Sequence, residues 1–433
     1  MPARGSFPAR LRVLAELTAL PALLLLRLPP ALDGLDSVNF ALALQDYDLG
    51  LEQPHPPGYP VYIALARMLL GLGFREEHAL ALPGILAAAL LLPALRILAE
   101  RTGCCARSIA LAVSILALHP LLLLEGPRPL PDLLGATLVW IALALCAQSR
   151  PLAGGAALGL ALGVRADLLP FAGALLWLPG RARTRFALGA ALGLVAWLPL
   201  FLSVGPPDLG PRMLSFLVGH LELWGSTLLA GVGEPRRWIE GALAPGPGAV
   251  GLALGVIGVW RMLPSIRRLL ALSLLPYALW VLAGQNLAHA RHMLPLAPAF
   301  ALGLGCVLAD LRTRTQRIVA LIAVLIGAWP AIAKLREPAL DGRELVVRAV
   351  AACDDCTAVY VGESRRLFDR YGPPGFPAYR RSSVEEIRAD LALWGAPTGK
   401  LFATGEVRGV RGTEERELGG GLRLYRIDPA ALR

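Results

Sequence analysis

The feature that most constrains this chain is a succession of apolar runs, rich in leucine and alanine, that recur along most of its length. A helix needs roughly 17–25 mostly apolar residues to cross the hydrocarbon core of a bilayer. Only helices or closed barrels satisfy their backbone there. The runs are continuous and show no period of two, so helices are expected. Charged residues make up 17% of the 433 residues, against about 25% in an ordinary soluble chain. Eleven spanning helices are expected, near 11–28, 79–99, 109–124, 132–148, 152–164, 168–179, 186–204, 247–263, 269–283, 293–309 and 317–333.

The net charge of +10 would suit nucleic acid in a soluble protein, but its distribution excludes that class. Residues 1–340 hold 27 basic against 18 acidic side chains, nearly all of the excess. Those arginines cluster in alternate short loops, among them Arg101 and Arg107, Arg181 to Arg185, Arg261 to Arg268, and Arg312 to Arg317. This is the positive-inside pattern of a membrane protein. It places the N-terminus in the cytoplasm and the first run, Leu11 to Leu28, as a retained anchor. The loop after it has no Lys or Arg from Leu28 to Ala66 but carries Asp33, Asp36, Asp46, Asp48 and Glu52, so it faces outward. Counting the apolar stretch Tyr59–Phe74 as a span would invert every later loop. It is therefore expected to lie at the outer surface.

These readings divide the chain into a membrane module, 1–333, and a small extracytoplasmic α/β domain, 334–433. Within the first, 29–78 form the first outer loop with surface helices, and 205–246 form a long outer loop. In the tail, helices are expected near 341–352, 363–371 and 383–394, with strands at 357–361, 400–405 and 421–427. Cys353 and Cys356 can form a small disulfide if the tail is outside the cell. A zinc site wants about four ligands and the tail has no histidine, so no metal or other cofactor is expected.

The residues able to do chemistry concentrate on the outer side. In the first loop, Leu35-Asp36-Ser37-Val38-Asn39-Phe40 precedes His55-Pro56-Pro57-Gly58-Tyr59-Pro60. An aspartate facing water can act as a general base. A histidine fixed between prolines at headgroup level can meet a phosphate, where cationic or hydrogen-bonding groups stabilise a leaving anion. Asp33 is the rival base. Glu125, Arg128 and Asp132 open the fourth helix, and Arg291 and His292 open the tenth. Arg165 falls in a turn between two short helices and should sit below the membrane surface, facing a cavity or a partner. The plainer readings are that Asp36 caps the helix starting at Ser37, that the His55 segment is only a rigid turn, and that Arg165 pairs with Asp167.

An early outer-loop aspartate followed by His-Pro-Pro-Gly-Tyr-Pro resembles the GT-C superfamily of membrane glycosyltransferases, nearest its protein O-mannosyltransferase-like and aminoarabinose-transferase-like branches. The Arg291-His292-Met293-Leu294-Pro295 stretch is similar to that superfamily's Arg-Tyr-Leu-Leu-Pro, with histidine replacing tyrosine. Ser37 stands where several branches carry glutamate. The resemblance covers about residues 10–330. It implies a mainly α, polytopic transmembrane bundle of GT-C type in the bacterial inner membrane. It implies an inverting transfer of sugar from a polyprenyl-phosphate donor to an acceptor hydroxyl on a glycan, lipid or protein. Asp36 would be the base, with His55, Arg291 and Arg165 holding the leaving phosphate. Tyr59, Glu125, Arg128, Asp132 and His292 would line the substrate site. A lipid-linked-sugar transporter and a non-catalytic assembly subunit are the competing readings. A transporter tends to show matching halves with paired broken helices, and none is visible here.

Overall fold

The computed structural model describes residues 9–221, 248–286, 289–313, 341–353, 356–381, 383–394, 400–404, 414–419 and 422–427, with residues 227 and 407 and scattered positions from 315 to 335. The fold is mainly helical. The N-terminal part runs α1 (Ala9–Leu25), α2 (Leu35–Gln45), α3 (Pro60–Gly71), α4 (Glu76–Glu100), α5 (Ala106–Ala117), α6 (Pro120–Glu125), α7 (Asp132–Ala147) and α8 (Pro151–Val164). It continues through a 3₁₀ segment (Ala166–Gly173) into α9 (Ala174–Trp177), α10 (Gly180–Val195), α11 (Leu198–Val204) and α12 (Leu209–Gly219). Then come α13 (Gly248–Trp260), α14 (Pro264–Gly284), a second 3₁₀ segment (Ala290–Leu296) and α15 (Ala297–Asp310).

Among the described residues, five stretches are long and apolar enough to cross a membrane: Glu76–Glu100, Ala106–Glu125, Gly180–Val204, Pro264–Gly284 and Ala290–Asp310. Their outward flanks carry exposed leucines such as Leu86, Leu188, Leu192, Leu275 and Leu279. So large a belt of exposed apolar side chains marks a membrane or partner contact on a soluble surface, and a lipid-facing wall on a spanning bundle. The inner faces share one core around Trp140, Leu91, Leu143, Phe171 and Tyr277. Glu16 of α1 pairs with Arg96 of α4 inside that bundle.

Several expected helices differ in detail, and each difference falls beside a proline. The stretch expected at 168–179 is a 3₁₀ segment containing Pro170, followed by a single turn. The stretch at 186–204 breaks before Pro199 into α10 and α11. The stretch at 293–309 begins as 3₁₀ around Pro295 and turns into α15 at Ala297. Proline lacks the N–H that an α-helical interior needs. The surface segment Tyr59–Phe74 is the helix α3, whose 12 residues rise about 18 Å, short of a core of about 30 Å. Its Arg67 donates to the Ala43 carbonyl of α2 at 2.8 and 3.2 Å, tying the two together. The eleventh helix at 317–333, apart from scattered positions, and most of 205–246 beyond α12 lie outside the described residues.

The C-terminal part has α16 (Gly342–Ala351), α17 (Arg365–Tyr371), α18 (Val384–Trp394) and five strands. These are β1 (Cys356–Tyr360), β2 (Ala378–Tyr379), β3 (Lys400–Thr404), β4 (Glu414–Gly419) and β5 (Leu422–Ile427), in the order β2-β1-β3-β5-β4. β1 pairs parallel with β2 and β3, while β5 runs antiparallel to β3 and β4. Alternation splits the sheet into two faces. Ala358, Tyr360, Leu401 and Ala403 pack with Ile387 of α18. Val359, Phe402 and Leu424 join Leu345, Leu367 and Phe368, and that core continues into Val38, Phe40 and Tyr62 of the first loop. Cys353 and Cys356 pair as expected. Cys104 and Cys306 also pair, a contact between two segments 202 residues apart that no local pattern announces.

Candidate functional site

The His55 segment is a rigid turn. Asp48 accepts from the Gly50 N–H at 2.7 Å and bridges to Gln53. Gly58 has φ +99, and a Cβ there would fall 2.5 Å from Phe201 and 2.6 Å from the Tyr47 hydroxyl. Only glycine fits. Tyr47 donates to the Gly58 carbonyl at 2.8 Å. Tyr59 sits in the left-handed region at φ 53 and leads into Pro60, the first residue of α3. A non-glycine residue held there stores strain of the kind found at functional sites.

This turn brings His55 to Asp36. The imidazole packs against Phe40 and Tyr59 and stacks on Phe216 at 5.6 Å. Its Nε2 lies 2.8 Å from the Tyr59 hydroxyl, and its Nδ1 lies 3.7 Å from Asp36 Oδ1. Nδ1 is buried and has no hydrogen-bond partner. A carboxylate facing Nδ1 favours the proton there, which leaves Nε2 to accept from Tyr59. Burial holds the imidazole below its usual value, with Asp36 pulling the other way, so His55 is a neutral donor at neutral pH.

Asp36 does not cap α2. The helix starts at Leu35, and the Ser37 hydroxyl accepts from the Asp33 and Gly34 N–H groups at 3.0 Å each. That frees Asp36 to accept from Arg291 Nη2 at 2.6 Å. Burial works against its ionisation, but Arg291 wins and holds the carboxyl well below the usual carboxylate range.

Arg291 leads into a second set of charges. Its Nε is 3.9 Å from Asp132 Oδ1 at the start of α7. Arg165, the residue that ends α8, donates to Asp132 and to Asp167 at 2.9 and 2.5 Å. Its Nη2 also lies 3.1 Å from His292 Nδ1. Arginine only donates, so His292 Nδ1 is an acceptor. The Ala290–Leu296 turn is pinned on both sides. Tyr277 donates to the His292 carbonyl and Trp140 to the Pro295 carbonyl, each at 2.8 Å.

The structure thus joins Asp36, His55, Tyr59, Arg291, Asp132, Arg165 and His292 in one continuous polar cluster. It sets Asp33, Glu125 and Arg128 apart. Arg128 donates to Asp33 at 2.5 Å and to Glu125 at 2.9 Å. Sequence reasoning did not select Asp167, Phe40, Phe216 or His289 as site residues. Asp167 and His289 had a signal, each lying within three residues of a selected residue. The aromatic walls had none. His220 Nε2 donates to the Gly284 carbonyl at 3.1 Å. Among the described residues, no group of three or more His, Cys, Asp or Glu is placed to hold a metal ion.

No family model and no curated protein matches this chain by sequence. Solved structures do match it. The aminoarabinose transferase ArnT from Cupriavidus metallidurans in its apo state superposes with a TM-score of 0.55 at 14% identity, covering 98% of this chain and 99% of that one. The same protein bound to undecaprenyl phosphate gives 0.53 at 12% identity, covering 97% and 98%. The Archaeoglobus fulgidus oligosaccharyltransferase gives 0.47 at 12% identity, and this chain spans 60% of its length. Over nearly its whole length, this chain has the fold of ArnT.

Proposed function

We propose that this protein is a membrane glycosyltransferase that moves a sugar from a polyprenyl-phosphate carrier to an acceptor hydroxyl on the outer face of the membrane. One observation carries the reading: a buried, unpartnered His55 Nδ1 beside an Asp36–Arg291 pair, in a chain with the ArnT fold. Asp36 takes the acceptor proton as the oxygen attacks the anomeric carbon. The bond from that carbon to the phosphate oxygen breaks, and its electron pair leaves on polyprenyl phosphate. Inversion follows from a single displacement. Arg291 and the neutral His55 donate to the departing phosphate, where charge develops. Arg165 fixes Asp132 and His292 behind them, and Tyr59 fixes the imidazole. The ArnT structure with undecaprenyl phosphate supports the carrier class. The positive-inside arginines support the outward face.

The test is release of polyprenyl phosphate by purified protein given a panel of polyprenyl-phosphate sugars and membrane-extract acceptors, wild type beside Asp36→Asn. Release by wild type that falls by about a hundredfold or more in the folded variant is expected. Equal release by both would remove Asp36 as the base. Efficient turnover of a nucleotide-sugar in the absence of lipid would overturn the donor class.

A further inference from the structure

Around Asp36, the cations of the described residues are already committed. Arg165 serves Asp132, Asp167 and His292. Arg128 serves Asp33 and Glu125. Burial keeps His55 neutral and pushes His289 down to about 3. Arg291 is the remaining cation, and it holds Asp36 through one short bond while Asp132 stands 3.9 Å away. These groups come from the His55 turn, the Ala290–Leu296 turn with its preceding His289, the start of α7 and the end of α8; His220, just past α12, is also within electrostatic reach of Asp36, but it donates to the Gly284 carbonyl and burial lowers its affinity for a proton. Among the described residues, a phosphate entering here meets no uncommitted cation. An anion without a paired cation is costly in a buried site, so an existing ion pair must open. Arg165 is tied by several bonds to two carboxylates; Arg291 is tied by one. Its backbone is pinned through the His292 and Pro295 carbonyls, so the guanidinium can swing without moving the turn. Asp36 is the more open partner, 29% exposed against 12% for Arg291.

We infer that Arg291 exchanges partners during the cycle, leaving Asp36 for the donor phosphate, so that Asp36 becomes a competent base only after the donor is seated. This rests on the glycosyl-transfer reading. With Arg291 on Asp36, the carboxylate has little affinity for a proton and cannot activate an acceptor or a water molecule. With Arg291 on the phosphate, the same guanidinium stabilises the leaving group and releases the base. After transfer, polyprenyl phosphate departs, Asp36 gives its proton to solvent, and the pair re-forms. Donor binding therefore precedes productive acceptor activation.

The exchange makes Asp36 a competitor of the lipid phosphate for one arginine, and a double-mutant cycle isolates such coupling. Binding of undecaprenyl phosphate is measured for wild type, Asp36→Asn, Arg291→Gln and the double variant in nanodiscs, with folding checked by thermal unfolding. Asp36→Asn is expected to bind about tenfold more tightly than wild type, the worth of one charge-assisted hydrogen bond. That gain should disappear in the Arg291→Gln background, and Arg291→Gln alone should bind about tenfold more weakly. A purely structural role for the pair would give no gain of binding. Unchanged or weaker binding by Asp36→Asn overturns the exchange, as does a gain that persists without Arg291. If Asp36→Asn does not fold, full affinity in Arg291→Gln overturns it equally. Wild type that fails to bind undecaprenyl phosphate at all sinks the lipid-donor reading itself, an outcome distinct from either.

Discussion

At the scale of single residues, the site is a chain of ion pairs whose members have different duties. Arg165 is 10% exposed and faces Asp132 and Asp167, 4% and 15% exposed. Removing one partner of a buried pair leaves an uncompensated charge and costs about 3–5 kcal/mol. Arg165→Gln is therefore expected to lower the unfolding temperature in detergent markedly and to abolish turnover. A variant with wild-type unfolding and lost activity would instead make Arg165 a direct ligand. Asp36→Asn should leave unfolding less affected and reduce turnover by roughly 10²–10⁴, the usual worth of a general base. The pH dependence of stability separates the histidines from Asp36. His289 is depressed to about 3 from 6.5, so below pH 6.5 the unfolded chain binds a proton that the folded chain refuses. Its stability contribution is complete above that value and falls as pH drops toward 3. Asp36 is depressed too, from 3.8, and its contribution is lost only below that. Between about pH 4 and 6.5 His289 therefore acts and Asp36 does not, so His289→Gln should flatten the decline of unfolding temperature in that window. An unchanged slope would mean that His289 is solvated.

At the scale of elements, the cluster depends on how closely α8 approaches α10. Gly155 and Gly159 of α8 face Gly189 and Gly193 of α10. A Cβ at 159 would stand 2.4 Å from the Ala190 carbonyl and 2.8 Å from the Gly193 Cα. Small residues four apart are how helices come together in lipid. Here they set the end of α8, from which Arg165 reaches Asp132. Gly159→Ala must push backbone against backbone and should cost about 1–3 kcal/mol. Gly210→Ala in α12 meets nothing within 4 Å and should be neutral or stabilising by about 0.5–1 kcal/mol. Thermal unfolding of the two side by side tests the contrast, and equal effects would show that the α8–α10 contact carries no packing load. Long runs such as α4 and α7 were legible because apolar length is itself the signal. The His55 turn was legible because prolines and a required glycine announce it. The Arg165–Asp132 contact joins residues 33 apart, and Arg291–Asp36 joins residues 255 apart, so no spacing rule reaches them. The two-residue strand β2 is set by its parallel partner β1 and has too little pattern of its own to be read in advance.

At the scale of the whole molecule, the C-terminal sheet is packed onto the loop that carries His55. Arg366 of α17 donates to the Leu51 carbonyl at 3.1 Å, Arg370 to Glu76 at 2.7 Å, and the Leu32 N–H donates to the Tyr371 hydroxyl at 3.2 Å. Beneath these polar contacts, Leu367 and Phe368 share one core with Val38 and Phe40, and Phe40 is also the wall against which the His55 ring rests. The two layers should weigh differently. Exposed ion pairs contribute about 0–1 kcal/mol, so Arg366→Ala and Arg370→Ala should barely change unfolding. Phe368 is 3% exposed, and truncating a buried phenylalanine costs about 3–5 kcal/mol. Phe368→Ala should therefore loosen the sheet from the loop and reach the imidazole through Phe40. The expected result is a fall in the maximal rate of polyprenyl phosphate release larger than any change in the donor concentration giving half that rate, because the proposed role of His55 is on the leaving phosphate. Leu401→Ala, on the opposite face of the same sheet against Ile387, should destabilise that sheet without changing the rate at temperatures where it stays folded. Equal rates in wild type and Phe368→Ala, with the sheet shown to be loosened by proteolysis, would mean that the loop holds His55 unaided and that the C-terminal sheet serves some other end.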